Sequence, residues 1–205
     1  MNTESLFKLR RSVNYFDKSK VLEESTLKEI INMAVLAPSG FNLQPWRLIA
    51  VSSEANKQKL YNLAWQQDKI LEAPCTLIVV ADKEGYSTSN PVWDEMLTSI
   101  GGKKDVLAGA QKAAAGLYGS SEERKIKFAE SNAGLFAMSL MIAAKEKGVD
   151  SHPMSGIDFE GIHQAFGLKE DESVVMLIAL GYYDDSRPIP PRRPRRGFEE
   201  ITSII

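Results

Sequence analysis

Two runs of the 205-residue chain leave little choice of fold: Thr76 to Ala81, shortly after Pro74, and Val174 to Leu180, directly before Gly181, are apolar at nearly every position. Runs of that length without alternation fit strands covered on both faces, because a strand with one solvated face carries a polar residue at every second position. A third segment makes the same demand in helical form. From Ala133 to Ala144 the residues are apolar almost all round, so this helix needs cover on every side, in the heart of the fold or against a second subunit.

The elements that could supply the cover alternate along the chain. Residues 3 to 11 read as a short helix capped by Thr3, which delivers Arg10, Arg11 and Ser12 at or just past its end. Thr26 and Glu29 have the spacing of a capping box ahead of Leu27, Ile30, Ile31, Ala34 and Val35, and Pro38 cannot continue that helix. Ser39 to Gln44 is then a turn-rich loop, Trp46 to Val51 a strand, and about Ala55 toward Ala73 a helix. From Glu84 to Gly119 the pattern weakens to helical patches at Trp93 to Leu97 and Val106 to Leu117, which predicts a variable insertion over the site. Ser120 and Glu123 form a second capping box for a long helix ending near Gly148, and Asp158 to Phe166 is a further helix stopped by Gly167. Past Gly181 the chain is rich in proline and arginine, hence extended, and finishes with Phe198 to Ile205. This succession indicates a mixed α/β or α+β fold in a single domain, 1–205.

Several function classes are disfavoured. A formal charge of -2 and a pI near 5.8 describe an ordinary surface, not a general nucleic-acid binder, although Arg192 to Arg196 form a local basic exception. No apolar stretch approaches the roughly 20 residues needed to span a bilayer, and the N-terminus lacks a secretory run, so a cytoplasmic location is expected, without membrane partners. Cys75 is alone, and His152 and His163 have no second ligand at useful spacing, which disfavours a metal site. The glycines between Gly101 and Gly119 form neither a dinucleotide nor a triphosphate loop. Trp46, Trp65 and Trp93 read first as core or interface packing.

Three polar groups remain: Arg10-Arg11-Ser12, the loop from Pro38 to Trp46, and Arg192 to Arg196. Convergent arginines suit a phosphate, and amides at an edge with apolar groups on a face suit a flat heteroaromatic ring. With RRSVNYFD (Arg10 to Asp17), APSGFNLQPW (Ala37 to Trp46), HPMSGID (His152 to Asp158), LGY (Leu180 to Tyr182) and PRRPRR (Pro191 to Arg196) in this order, the chain resembles the nitroreductase family of flavin enzymes.

That resemblance implies an α+β fold with a central, mostly antiparallel sheet flanked by helices. It also implies an intertwined homodimer whose C-terminal extension reaches the partner, with two flavin mononucleotides (FMN) at the interface. Arg10, Arg11, Ser12, Arg193 and Arg195 would hold the phosphate and ribityl chain. Ser39 and Asn42, with Pro38 and Gln44 of the same loop, would meet the flavin across the interface, and the Pro153 to Gly156 loop would pass over the ring. Where the family usually has Arg or Lys this chain has Asn14, which supplies no charge, so Lys69, with Gln66 before it, would act alone at that edge. Phe41 and Trp93 are candidates for the outer, substrate wall. The implied reaction is a ping-pong hydride transfer from NADH or NADPH to the flavin and then to a nitroaromatic or quinone, with no protein nucleophile. A dehalogenase or flavin-processing enzyme on the same scaffold, and a non-catalytic flavin-binding protein, are the alternatives.

Overall fold

The computed structural model describes residues 3–205, with the side chain of Thr3 excepted, so the expected Thr3 cap lies outside the described residues. The elements are α1 (Thr3–Leu9), α2 (Glu24–Ala34), a 3-10 turn (Gly40–Asn42), β1 (Trp46–Val51), α3 (Glu54–Leu63), α4 (Lys69–Glu72) and β2 (Cys75–Asp82). They continue with α5 (Val92–Ser99), α6 (Lys104–Tyr118), α7 (Glu122–Glu146), β3 (Asp150–Met154), α8 (Phe159–Ala165), β4 (Glu172–Gly181) and α9 (Phe198–Ile201). The four strands form one antiparallel sheet in the order β1-β2-β4-β3.

The apolar runs occupy the two central strands, where both faces are covered. Leu77, Val79 and Ala81 of β2 join Ile178 and Leu180 of β4 in a core shared with Ala133, Phe136 and Leu140 of α7 and Ile30 and Ala34 of α2. The intervening Ile78 and Val80 join Leu177 and Ala179 in a second core with Leu60, Ile70 and Ile162 from α3, α4 and α8. Each fully buried Leu or Ile contributes about 1.5–3 kcal/mol, which is why neither face tolerates the polar alternation of a half-exposed sheet. The architecture is α+β.

Helix α7 is buried on the sides that meet the sheet and α2, but Leu135 is half exposed and Met138 and Ile142 are only partly covered. Ser121 caps this helix by accepting from the Arg124 amide, one residue beyond the expected pair Ser120 and Glu123. The expected box at Thr26 and Glu29 does not form: α2 starts earlier, at Glu24, with the extended Glu23 before it and no side-chain cap. The helix expected from Ala55 toward Ala73 is two helices, because Trp65 and Gln66 take left-handed backbone angles (φ 51° and 56°) and break the ladder. No strand was expected at Asp150–Met154; β3 accommodates Pro153 because it is the last strand of the sheet, with β4 as its one neighbour among the four strands. Gly148 and Gly167, at φ 73° and 65°, end α7 and α8 as expected. No helix among the described residues is long and apolar enough to cross a membrane.

Candidate active site

The two ends of the chain meet at the edge of the sheet. After α1, residues 12 to 16 run beside β3: Ser12 bridges Ser151, the Val13 amide donates to the Ser151 carbonyl (3.2 Å), and Phe16 bridges Tyr183. The returning C-terminal segment is fastened by Arg187, which donates to Glu72 (3.0 Å) and Asp184 (2.8 Å) and lies 4.1 Å over the Tyr15 ring. Arg192 then donates to the carbonyls of Lys8 (2.9 Å) and Arg10 (2.8 Å) at the C-terminal end of α1, and Arg11 donates to the Pro190 carbonyl. Arg192 thus latches the tail to the N-terminal helix, a role its sequence position did not distinguish from that of its neighbours.

The result is a cleft of about 280 Å³ lined by Arg10, Arg11, Ser12, Asn14, Arg193 and Arg195, together with Arg192 and the Ile189–Pro191 stretch. Among the described residues its lining contains no carboxylate. The crowding is costly to the cations themselves: Arg10 is held below its ordinary pKa, first by burial and then by Arg192, Arg195 and Arg11. A cluster of guanidiniums that destabilise one another and bond mainly to backbone carbonyls is prepared for an anion, which would relieve the repulsion.

A second group adjoins the first. His152 bonds through Nδ1 to the Val13 carbonyl (2.8 Å). Burial, and next the Lys69 cation, lower its pKa to about 4, so the ring is neutral near pH 7 and donates its Nδ1 hydrogen to that carbonyl. Lys69, at the start of α4, is itself held below the usual lysine range by burial, against the opposing pull of Asp68 and Glu72. Its ammonium donates to Gln67 Oε1 (3.3 Å), and Gln67 Nε2 donates to the Gly156 carbonyl (2.9 Å). Met154 is buried, Pro153 and Gly156 are partly covered, and Ser155 and Gln66 are exposed. Trp65 is 72% exposed in the single chain, which rules out the core half of its expected core or interface packing, and its ring lies so close to Gly156 that an added Cβ would stand 3.1 Å from it.

The Pro38–Gln44 loop lies elsewhere on the chain, and its bonds run to other partners. The Gly40 amide donates to Asn132 of α7 (3.0 Å), the Gln44 amide to Ser39 Oγ (3.0 Å), and Gln44 Nε2 to the Asn42 carbonyl (3.2 Å). Phe41, Asn42 and Gln44 all have positive φ (53°, 56° and 48°), a strain of order 1–3 kcal/mol per residue that is retained where the surroundings dictate the backbone. Phe41 packs on Trp93 (6.2 Å between centroids) and edge-on to Tyr118 (6.1 Å), so α5 and α6 support this loop. Trp93 is only 1% exposed and donates to the Ser87 carbonyl (2.8 Å); it backs Phe41 from within the core. Beside Pro38, an apolar groove of about 540 Å³ runs between α1, α2 and α7, lined by Leu6, Phe7, Met33, Leu135, Met138 and Ile142. The tail ends in exposed Phe198, Ile201, Ile204 and Ile205. Cys75 is buried with its pKa raised to about 11, so its thiol stays protonated and is a poor nucleophile.

Gln67 was not singled out by sequence, and His152, which opens the HPMSGID block, was given no role at the site. Gln66 and Gln67 are equivalent as letters, and only the left-handed turn at Trp65–Gln66 decides which amide faces inward.

The chain as a whole is similar to known proteins. Bacillus subtilis MhqN, provisionally named an NAD(P)H nitroreductase, is 31% identical, over 93% of this chain and 94% of that protein. A Thermus thermophilus protein named NADH dehydrogenase is 32% identical, over 84% of this chain and 82% of its own. The structure of a provisionally assigned nitroreductase from Exiguobacterium sibiricum in complex with FMN superposes with a TM-score of 0.85 at 26% identity, covering 99% of this chain and 97% of the other. The model of the nitroreductase family matches residues 8–182, from the end of α1 through β4, and the chain belongs to that family.

Proposed function

We propose that this chain is an FMN-dependent oxidoreductase that takes electrons from NADH or NADPH and delivers them to a flat, electron-poor acceptor such as a nitroaromatic or a quinone. The observation that carries the reading is the arginine cleft: a phosphate monoester holds about -1.5 to -2 charges near neutrality, and guanidiniums from both ends of the chain converge where one would sit. The relatives named for NAD(P)H and NADH support the nicotinamide donor, and the Exiguobacterium complex supports the cofactor.

Bound FMN would supply the redox chemistry, accepting a hydride at N5 and then reducing the second substrate in a ping-pong cycle. The chain's own groups bind and orient. Arg10, Arg11, Arg193 and Arg195 neutralise the phosphate, and Ser12 adds a hydroxyl donor. Asn14 lines the same cleft and can donate a hydrogen bond without charge, leaving Lys69 as the cation for the ring edge. Backbone groups of Met154, Ser155 and Gly156 would pass over the ring and bond its N5 edge, apart from the N1 and C2-carbonyl edge assigned to Lys69.

The Pro38–Gln44 loop would serve the site of a second copy. The apolar groove beside it and the half-exposed Leu135 support a homodimer through α7, with the apolar tail reaching the partner. In that assembly Ser39, Asn42 and Gln44 meet the flavin from across the interface. Phe41, backed by Trp93, forms an outer wall, and the 84–119 segment covers the acceptor's entrance. The whole chain then acts as one domain in the cytoplasm, without nucleic acid or membrane.

The visible absorption spectrum of the purified full-length protein, before and after anaerobic addition of NADH or NADPH, tests the reading. A yellow protein whose flavin bands bleach is expected. A colourless protein that takes up no FMN, or bands that persist with both donors, contradicts it.

A further inference from the structure

We infer that Gln67 is a positioning residue: its side-chain amide spans the Lys69 ammonium and the Gly156 carbonyl, aiming the cation at the ring edge through a neutral partner. This rests on the flavin site proposed above. The geometry is specific to an amide, which accepts from the ammonium at 3.3 Å with one atom and donates to the carbonyl at 2.9 Å with the other. A carboxylate at this position could hold the lysine but would face the Gly156 carbonyl with no hydrogen to give. A lysine or methionine would lose at least one of the two bonds.

The surroundings make the neutral partner consequential. The acidic groups that act on Lys69 are Asp68 and Glu72. Glu72 is engaged by Arg187 (3.0 Å) and by the Phe16 amide (3.2 Å), and Asp68 lies within 3.5 Å of the Tyr61 hydroxyl. The imidazole of His152 adds no second charge near neutrality. The ammonium is therefore bonded to a dipole while the carboxylates around it are bonded elsewhere.

The backbone is arranged for this contact. The left-handed pair Trp65–Gln66 turns the chain so that the Gln67 amide bonds the Ala64 carbonyl (3.3 Å) and its own carbonyl receives the Ile70 amide (3.0 Å), at the start of the helix that carries Lys69. One side chain thus couples the α3–α4 connection to the Pro153–Gly156 loop.

The test is a double-mutant cycle on full-length FMN-loaded protein: wild type, Gln67→Met, Lys69→Met and the double variant, with Gln67→Glu beside them. The readouts are the midpoint potential of the bound flavin and its anaerobic reduction rate by NADH or NADPH. A residue that acts through Lys69 makes the cycle non-additive. Gln67→Met should lower the potential and slow reduction, by about threefold, and should add nothing in the Lys69→Met background. Gln67→Glu, which keeps the bond to the ammonium but cancels its charge, should slow reduction by about tenfold. It should also raise the pKa of Lys69 followed by NMR, a readout that needs no flavin.

Additive effects, or a Gln67→Met protein with wild-type potential and rate beside an impaired Lys69→Met, overturn the inference and reduce Gln67 to a loop staple. A Lys69→Met protein identical to wild type overturns it by removing the cation's role. Wild-type protein that takes up no FMN is a separate result, which refutes the proposed function itself.

Discussion

The arginine cleft and the Pro38–Gln44 loop were both read from sequence as parts of one site, yet they stand differently in the folded chain. Guanidiniums from residues 10–11 and 192–195 meet within a single chain, tied by Arg192 to the end of α1. The loop instead bonds itself and α7, and holds three non-glycine residues at positive φ beside an open apolar groove. The first is complete alone. The second has its shape fixed in advance beside an open groove, which fits a segment that, in the dimer proposed above, serves the other subunit's site. Phosphate affinity should therefore belong to the chain, and turnover to the assembly.

The largest effect should follow from charging the open stripe of α7. Leu135→Glu places a carboxylate on the groove, and by the cost of burying an unpaired charge it should shift the protein toward monomer in sedimentation and depress turnover by at least about 100-fold, with the arginine cleft intact. A monomeric, fully active variant would mean that the loop works within its own chain, and a dimeric one would place the interface away from Leu135. Next in size, Arg10→Ala removes a guanidinium from the cleft. At about 1.5–3 kcal/mol per charged hydrogen bond it should weaken FMN binding by roughly 10–150-fold without changing the sedimentation of the dimer. Loss of the dimer in Arg10→Ala would dissolve the distinction between the two regions.

At the ring edge the effects should be smaller and unequal. Lys69→Met should slow flavin reduction by about tenfold, whereas Asn14→Ala, which removes no charge, should cost about threefold or less. Equal reduction rates in the two variants would show that Lys69 does not stand in for a missing cation at Asn14.

The smallest effect concerns stability. His152 has its pKa lowered to about 4 from 6.5, first by burial and then by Lys69, so on acidification the unfolded chain takes the proton before the folded one. Its contribution is present above pH 6.5 and is lost as pH falls toward 4. Denaturant titrations from pH 7 to pH 4 should show a shallower loss of stability in His152→Asn than in wild type; identical slopes would place the neutral imidazole elsewhere.

Where periodicity and burial agree, the sequence predicted the element. Trp46 to Val51 is β1 residue for residue, and the run from Thr76 is β2 within one residue at each end. Where one residue decides, it did not. Pro153 hid an edge strand, Thr26 has the letter of a cap but sits inside the first turn of α2, and Trp65 and Gln66 split an otherwise continuous helical pattern by changing backbone handedness. The site divides in the same way. The arginines were readable because charge and clustering are written in residue types. Gln67, His152 and the Arg192 latch depend on which way a side chain turns, and the structure alone supplies that direction.

The most direct test of the central claim compares the affinity of the flavin-free protein for FMN with that for riboflavin, the same ring and ribityl chain without the phosphate, by titration of flavin fluorescence. With guanidiniums from both ends of the chain closing on the phosphate, FMN should bind at least about 100-fold more tightly than riboflavin, and the preference should shrink as salt is added. Equal affinities would contradict the account, since the cleft would then be gripping something other than a phosphate.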